Sequence, residues 1–144
     1  MQVQEVELLG KYFSRIYRFS KAYQDRELKH LGIGSGQFGF MMILLRTEGI
    51  SQSRLSEISK LDKTTIARSI RPLIENGYVV RGKDPDDRRG YKLLLTDSGR
   101  SLGPELIRIQ LDLERQLLEN FTSEEIELLS GFLRRMNENA SKLK

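Results

Sequence analysis

The stretch from Lys60 to Thr96 leaves this chain few folds to choose from, because a helical pattern there passes directly into a strand, loop, strand pattern. From Asp62 the apolar residues fall at Ile66, Ile70, Leu73 and Ile74, one stripe of an α-helix that must be buried against neighbours. Asp62 is the natural N-cap and Gly77 the natural stop. With that stripe turned inward, Lys63, Thr64, Thr65, Arg68, Ser69 and Arg71 face out. They can hydrogen-bond base edges and phosphates, and they lack the bulk that would keep a helix out of a major groove. Pro72 costs one backbone bond, but it sits in the C-terminal half and spares the first turns.

Upstream, Ser51 caps a short helix reaching Lys60 whose Leu55 and Ile58 face inward, and only Lys60 and Leu61 lead from it to Asp62. Two short helices across a tight turn make a helix-turn-helix. Downstream, Tyr78 to Arg81 and Tyr91 to Leu95 read as two strands around a polar stretch with Gly82, Pro85 and Gly90, longer than a two-residue turn and therefore projecting. Its tip sets Lys83, Arg88 and Arg89 against Asp84, Asp86 and Asp87. An aspartate beside an arginine can hold the guanidinium in one orientation, and a fixed arginine on a projecting hairpin fits a narrow minor groove. Taken alone, each element is an ordinary solvated surface; adjacent, they make a reading head for double-stranded DNA.

The run Asp84, Pro85, Asp86, Asp87, Arg88, Arg89, followed by Leu95, Thr96 and Gly99, resembles the winged helix-turn-helix of the MarR family of bacterial transcriptional regulators. That family's loop signature is Asp, any residue, Arg, a gap, then Leu-Thr, and Asp87, Arg89, Leu95 and Thr96 occupy those places. The resemblance implies that Arg89, with Arg88 as a second candidate, enters the minor groove and that Asp87 braces it. It implies too that Thr64, Thr65 and Arg68 work in the major groove. Outside the reading head it rests on the order and length of helices.

With 144 residues the chain is the size of one domain and can bury a modest core. It has no cysteine, hence no disulfide, thiolate metal site or cysteine redox switch. No signal peptide pattern and no apolar run near the roughly 20 residues that span a bilayer is seen, so a cytoplasmic protein without a membrane partner is expected. The net charge of +4 is unevenly spread. Residues 60–100 carry 10 basic and 6 acidic side chains, residues 101–144 carry 6 and 8, so affinity for phosphate should reside in the middle.

The flanks are helical. From Gln2 to about His30, Val6, Leu9, Tyr12 or Phe13, Ile16, Phe19 or Ser20, and Tyr23 keep helical spacing in one long amphipathic helix. Leu31 to Gly36 is a break in which Gly34 and Gly36 act as turn residues; it lacks the preceding strand that a phosphate-cradling loop needs. Ser35 is expected to cap a helix from Gln37 to Arg46 with Phe38, Met41, Met42 and Leu45 toward the core. After Thr96, a cap with Asp97 behind it, a second long helix should reach Asn120 and kink near Gly103 and Pro104, with Leu106, Ile109, Leu113, Leu117 and Leu118 as its stripe. Thr122 to Glu125 spell a capping box for a last helix through Ile126, Leu129, Phe132, Leu133 and Met136, and the polar tail from Asn137 should fray.

The expected architecture is mainly α with a small β-hairpin wing (α+β), a single domain over 1–144. A winged helix-turn-helix lobe at 34–100 is flanked by N- and C-terminal dimerisation helices at 1–33 and 101–144. Surplus apolar surface on the two terminal segments points to a homodimer, as the resemblance also implies. Two heads imply a pseudo-palindromic site with half-site centres roughly 34–36 Å apart.

Catalysis finds no support: the single histidine, His30, closes a helix without triad or metal-cluster neighbours, and Glu124 and Glu125 lie at a helix start where acids favour the dipole. No catalytic residue, metal or cofactor is expected. The expected function is a dimeric, sequence-specific DNA-binding regulator, a repressor of its promoter. The resemblance implies control by a small aromatic or anionic effector, for which Tyr12, Arg15, Phe38 and Met42 are candidate lining residues. A winged-helix module for protein contacts without specific DNA binding is the alternative, and a small-molecule carrier with a vestigial head the third reading.

Overall fold

The computed structural model describes residues 3–143, with side chains from Leu9 onward. Gln2 as the start of the first helix, the Val6 side chain as part of its stripe, and Lys144 lie outside what is described. In chain order the elements are α1 (Val3–Leu28), a 3-10 turn (Lys29–Leu31), α2 (Ser35–Leu44), β1 (Ile50–Ser51), α3 (Gln52–Ser59), α4 (Lys63–Glu75), β2 (Val79–Asp84), β3 (Asp87–Leu95), α5 (Asp97–Ser101), α6 (Gly103–Leu117) and α7 (Ser123–Ala140). The fold is the mainly helical winged helix expected, with an antiparallel sheet in the order β1-β3-β2. Among the described residues no helix is long and apolar enough to cross a membrane.

Two compact units make up the chain, Met1–Gln110 and Leu111–Lys144. The core of the first unit joins Leu28 of α1, Phe38, Phe40, Met41 and Leu44 of α2, Leu55 of α3, Ile66, Ile70 and Leu73 of α4, Val79 and Leu93 of the sheet, and Leu106 and Ile109 of α6. Of the stripe foreseen on α4, Ile66, Ile70 and Leu73 are buried and Ile74 is half-buried against the same core. Ile58, expected to face inward beside Leu55, is instead 45% exposed. Leu55 is the one buried residue of α3.

Several boundaries differ from expectation for local reasons. Gly34, not Ser35, caps α2: Gln37 Oε1 accepts from the Gly34 N–H at 2.9 Å, and the Asp25 carboxylate of α1 accepts from the Ser35 N–H at 2.6 Å. The residue that turns the chain before α2 is Gly32, with φ +75°, while Gly36 lies inside the helix. On α2 it is Phe40 and Leu44, rather than Met42 and Leu45, that join Phe38 and Met41 in the buried set.

The hairpin loop is shorter than expected, for β2 and β3 extend to Asp84 and Asp87 and only Pro85 and Asp86 turn the chain. A register irregularity at Lys83/Asp84 accommodates Arg88, Arg89 and Gly90 between paired positions. The two-residue β1, unforeseen, pairs Ile50 with Leu93 and Ser51 with Lys92. After α5, Gly103 and Pro104 begin a new helix instead of kinking an old one, because the first N–H groups of a helix have no partner to lose. In the second unit α6 ends at Leu117, and Asn120 turns with φ +67°. The capping box forms as foreseen, Thr122 Oγ1 accepting from the Glu125 N–H at 3.1 Å and Glu125 Oε1 from the Thr122 N–H at 2.9 Å. Helix α7 continues to Ala140, beyond the Asn137 at which fraying was expected, and its last carbonyls are met by the N–H groups of Ser141 and Lys142.

The end of the wing is locked to the end of α4. Thr96 Oγ1 accepts from the Gly99 N–H at 3.0 Å as the cap of α5 and donates to the Gly77 carbonyl at 2.6 Å, while the Thr96 N–H donates to the Tyr78 carbonyl at 3.0 Å. A Cβ on Gly99 would lie 2.1 Å from that Tyr78 oxygen, so only glycine permits the approach. Gly99→Ala should therefore cost about 1–3 kcal/mol in urea unfolding, and a loss below about 0.5 kcal/mol would contradict this packing.

Candidate nucleic-acid interface

The helix pair is set by side chains of α3. Lys60 makes the turn with φ +60°, an uncommon conformation for a residue with a Cβ, in place of the glycine often found there. Ser56 Oγ donates to the Leu61 carbonyl at 2.6 Å, Ser59 Oγ to the Leu55 carbonyl at 2.7 Å, and Gln52 Nε2 to the Lys63 carbonyl at 3.4 Å. The first and last of these run from α3 to the turn and to the first residue of α4, and so fix where α4 begins.

Asp62 caps α4, its Oδ1 accepting from the Thr65 N–H at 2.8 Å. The Thr65 hydroxyl first, and then that N–H, hold the carboxyl below its ordinary range; desolvation opposes this slightly, and the Arg68 cation adds to it. Thr65 is accordingly half-buried and partly committed to the cap, whereas Lys63, Thr64, Arg68 and Arg71 are exposed. Thr64, Arg68 and Arg71 follow the spacing of a single helix face, opposite Ile66, Ile70 and Leu73. Ser69 is half-buried at its margin.

On the wing, Lys83, Asp87, Arg88 and Arg89 are exposed. Asp87 does not hold a guanidinium: its Oδ1 accepts from the Arg89 backbone N–H at 3.0 Å, and among the described residues neither Arg88 nor Arg89 forms an ion pair. The short connection explains this, since the carboxylate folds back over Gly90, where a Cβ would stand 2.9 Å from Asp87 Oδ2. Asp84 does the same for the Asp86 N–H at 3.0 Å. The aspartates shape the ribbon's backbone and leave both guanidinium groups for an external acceptor.

A polar cleft of about 300 Å³ joins the two elements, lined by Ser51, Gln52 and Ser53, by Lys63, and by Asp84, Asp87, Arg89, Gly90 and Tyr91. Lys63 and Arg89 are thus brought to one cleft, while Thr64 and Arg68 lie on the outer face of α4 and Lys83 and Arg88 elsewhere on the wing. Sequence reasoning passed over Gln52, Arg81 and Tyr91. The Arg81 guanidinium stacks 5.0 Å from the Tyr91 ring centre, a diagonal cross-strand pair beside Ile66, Ala67 and Ile70 of α4. Only the register reveals that pair.

The four candidates for an effector crevice fall in different settings. Tyr12 and Arg15 are exposed on α1, Met42 is half-buried, and Phe38, 4% exposed, belongs to the core. Among the described residues no cluster of His, Asp or Glu side chains is placed to hold a metal ion.

Comparison with known proteins gives one answer. The MarR family model matches residues 33–91. The uncharacterised HTH-type transcriptional regulator YybA of Bacillus subtilis (strain 168) is 33% identical over 124 residues, which cover 86% of this chain and 83% of the relative. A MarR transcriptional regulator from Methanosarcina mazei Go1 has a crystal structure that superposes with a TM-score of 0.88 at 38% identity, covering 96% of this chain and 99% of that one. A Listeria monocytogenes protein assigned to the same family, solved complexed with 26mer DNA, gives a TM-score of 0.83 at 29% identity, covering 90% of this chain and 86% of that one.

The cap supplies a pH test. Because the folded carboxyl of Asp62 titrates below its unfolded value, its stabilisation is full above the unfolded value and is lost as pH falls through the folded one. Asp62→Ala should lower the thermal midpoint at neutral pH, and its gap from the parent should narrow toward about pH 3; a gap constant over that range would contradict a charged cap.

Proposed function

The chain belongs to the MarR family of transcriptional regulators, whose members are DNA-binding proteins and not enzymes, and from that premise we propose that it is a dimeric, sequence-specific repressor of a pseudo-palindromic promoter site. The observation that carries this reading is the cleft shared by Lys63 at the start of α4 and Arg89 on the wing. A helix and a ribbon that meet at such an edge can engage a major groove and the adjacent minor groove together. In this reading Thr64, Thr65, Arg68 and Ser69 face base edges and nearby phosphates. Lys63, Lys83 and Arg88 contact phosphates, Arg89 enters the minor groove, and Asp87 holds the backbone from which Arg89 projects.

Dimerisation is supported by apolar side chains left at the surface of each unit. Tyr12, Phe13, Ile16, Tyr17 and Phe19 are exposed on α1, and Leu128, Phe132, Leu133 and Met136 on α7. Such stripes, continuous along helices, are what a second copy of the chain would cover. Two heads then read half-sites roughly 34–36 Å apart. A small aromatic or anionic effector would act by binding the DNA-competent and DNA-incompetent states unequally, with Tyr12, Arg15, Phe38 and Met42 as the first positions to examine. The cytoplasm is the compartment this reading requires. The alternative, a winged-helix module that contacts another protein, draws on the same exposed stripe of α1 and would respond little to salt.

Selection of bound sequences from random duplexes tests the reading. Arg68→Ala is expected to relax base preference by about 1–3 kcal/mol at one position of each half-site, and Arg88→Ala to lower the salt slope of binding by about 1. Arg89→Ala should weaken binding most at sites with narrow minor grooves. Parent-like binding by all three variants, or a chain that sediments as a monomer at micromolar concentration, would overturn the proposal.

A further inference from the structure

Three consecutive residues that close α4, namely Asn76, Gly77 and Tyr78, are bonded to both passages by which the chain enters and leaves the reading head. On the entry side, Asn76 Nδ2 donates to the Gly32 carbonyl at 3.2 Å and to the Pro72 carbonyl at 2.7 Å, and the Tyr78 hydroxyl donates to the Leu31 carbonyl at 2.7 Å. Leu31 ends the 3-10 turn that follows α1, and Gly32 comes next. Gly32 turns with φ +75°, and a Cβ there would stand 2.8 Å from Asn76 Oδ1, so the linker and the Asn76 amide lie in close contact. On the exit side, Thr96 bonds to the Gly77 and Tyr78 carbonyls, and Gly99 sits against the latter.

The remaining contacts of α4 with the core are apolar: Ile66, Ile70 and Leu73 are buried among aliphatic and aromatic side chains. Such packing strongly disfavours withdrawal of the helix, but it is non-directional and tolerates small changes of tilt. Hydrogen bonds are directional. Those made by Asn76 and Tyr78 tie the end of α4 to carbonyls of the linker that follows α1 through the 3-10 turn.

We infer that Asn76 and Tyr78 are positioning residues that set the angle of α4 relative to α1, and through it the half-site spacing that a pair of heads accepts. Neither residue is among those proposed to touch DNA; both act through α4. A displacement of α1 moves the Leu31 and Gly32 carbonyls and carries the C-terminal end of α4 with them. This inference rests on the paired-head reading given above.

The test uses the full chain and synthetic duplexes carrying two copies of the selected half-site with spacers altered by one or two base pairs, beside a duplex with a single half-site. The variants are Tyr78→Phe, which removes only a hydroxyl, and Tyr78→Phe combined with Asn76→Ala. Expected is a fall of about five- to tenfold in the preference for the best spacer over its neighbours, with affinity for the single half-site within about twofold of the parent. A spacer profile identical to the parent's would overturn the inference alone. Loss of single half-site binding together with helical structure would also overturn it, by showing a merely structural role. A parent indifferent to spacer length would refute the paired-head reading, and this inference with it.

Discussion

Burial of one helical seam governs the rest of the head. Ile66, Ile70 and Leu73 are at most 2% exposed, and removing side chains of that size from water contributes roughly 1.5–3 kcal/mol each. Turning that seam inward determines which side chains of α4 remain outside: Lys63, Thr64, Arg68 and Arg71. The same rotation fixes where the helix begins and ends. Asp62 then caps its first turn, while Asn76 and Tyr78 reach the carbonyls behind its last. A polar substitution at Ile70 would release all of these together, since none of the caps or ties can outweigh the seam.

The wing shows how a charged tip can be shaped without being neutralised. Three aspartates beside three basic residues look like mutual cancellation, yet Asp84 and Asp87 spend their hydrogen bonds on the backbone N–H groups of Asp86 and Arg89. The carboxylates thereby shape a tight connection in which Gly90 yields the room, and the guanidinium groups of Arg88 and Arg89 stay exposed.

Much of this was legible in the sequence wherever the governing interaction is local. The stripe of α4, the Asp62 cap and the Thr122–Glu125 capping box each depend on residues within a turn or two of one another. Features that depend on distant partners were not. A two-residue strand such as β1 has no periodicity to detect, and it exists only because Leu93 and Lys92 lie beside it. The extent of β2 and β3 was misread because Pro85 and Gly90 both look like loop residues, although only the first lies in the turn. The first N–H of α2 is met by Asp25 on another helix, and the stacking of Arg81 on Tyr91 follows from a register that no local pattern specifies. For the candidate site, the cationic residues could be named from the sequence, but not the cleft that gathers Lys63 and Arg89.

Methylation interference on a selected operator directly tests the proposed engagement of both grooves by one head, because guanine N7 methylation blocks the major groove and adenine N3 methylation the minor groove. Each half-site should show a cluster of interfering guanines flanked by interfering adenines, and the adenine signal should vanish with Arg89→Ala while the guanine signal persists. Interference confined to the major groove in the parent, or an adenine signal untouched by loss of Arg89, would contradict it.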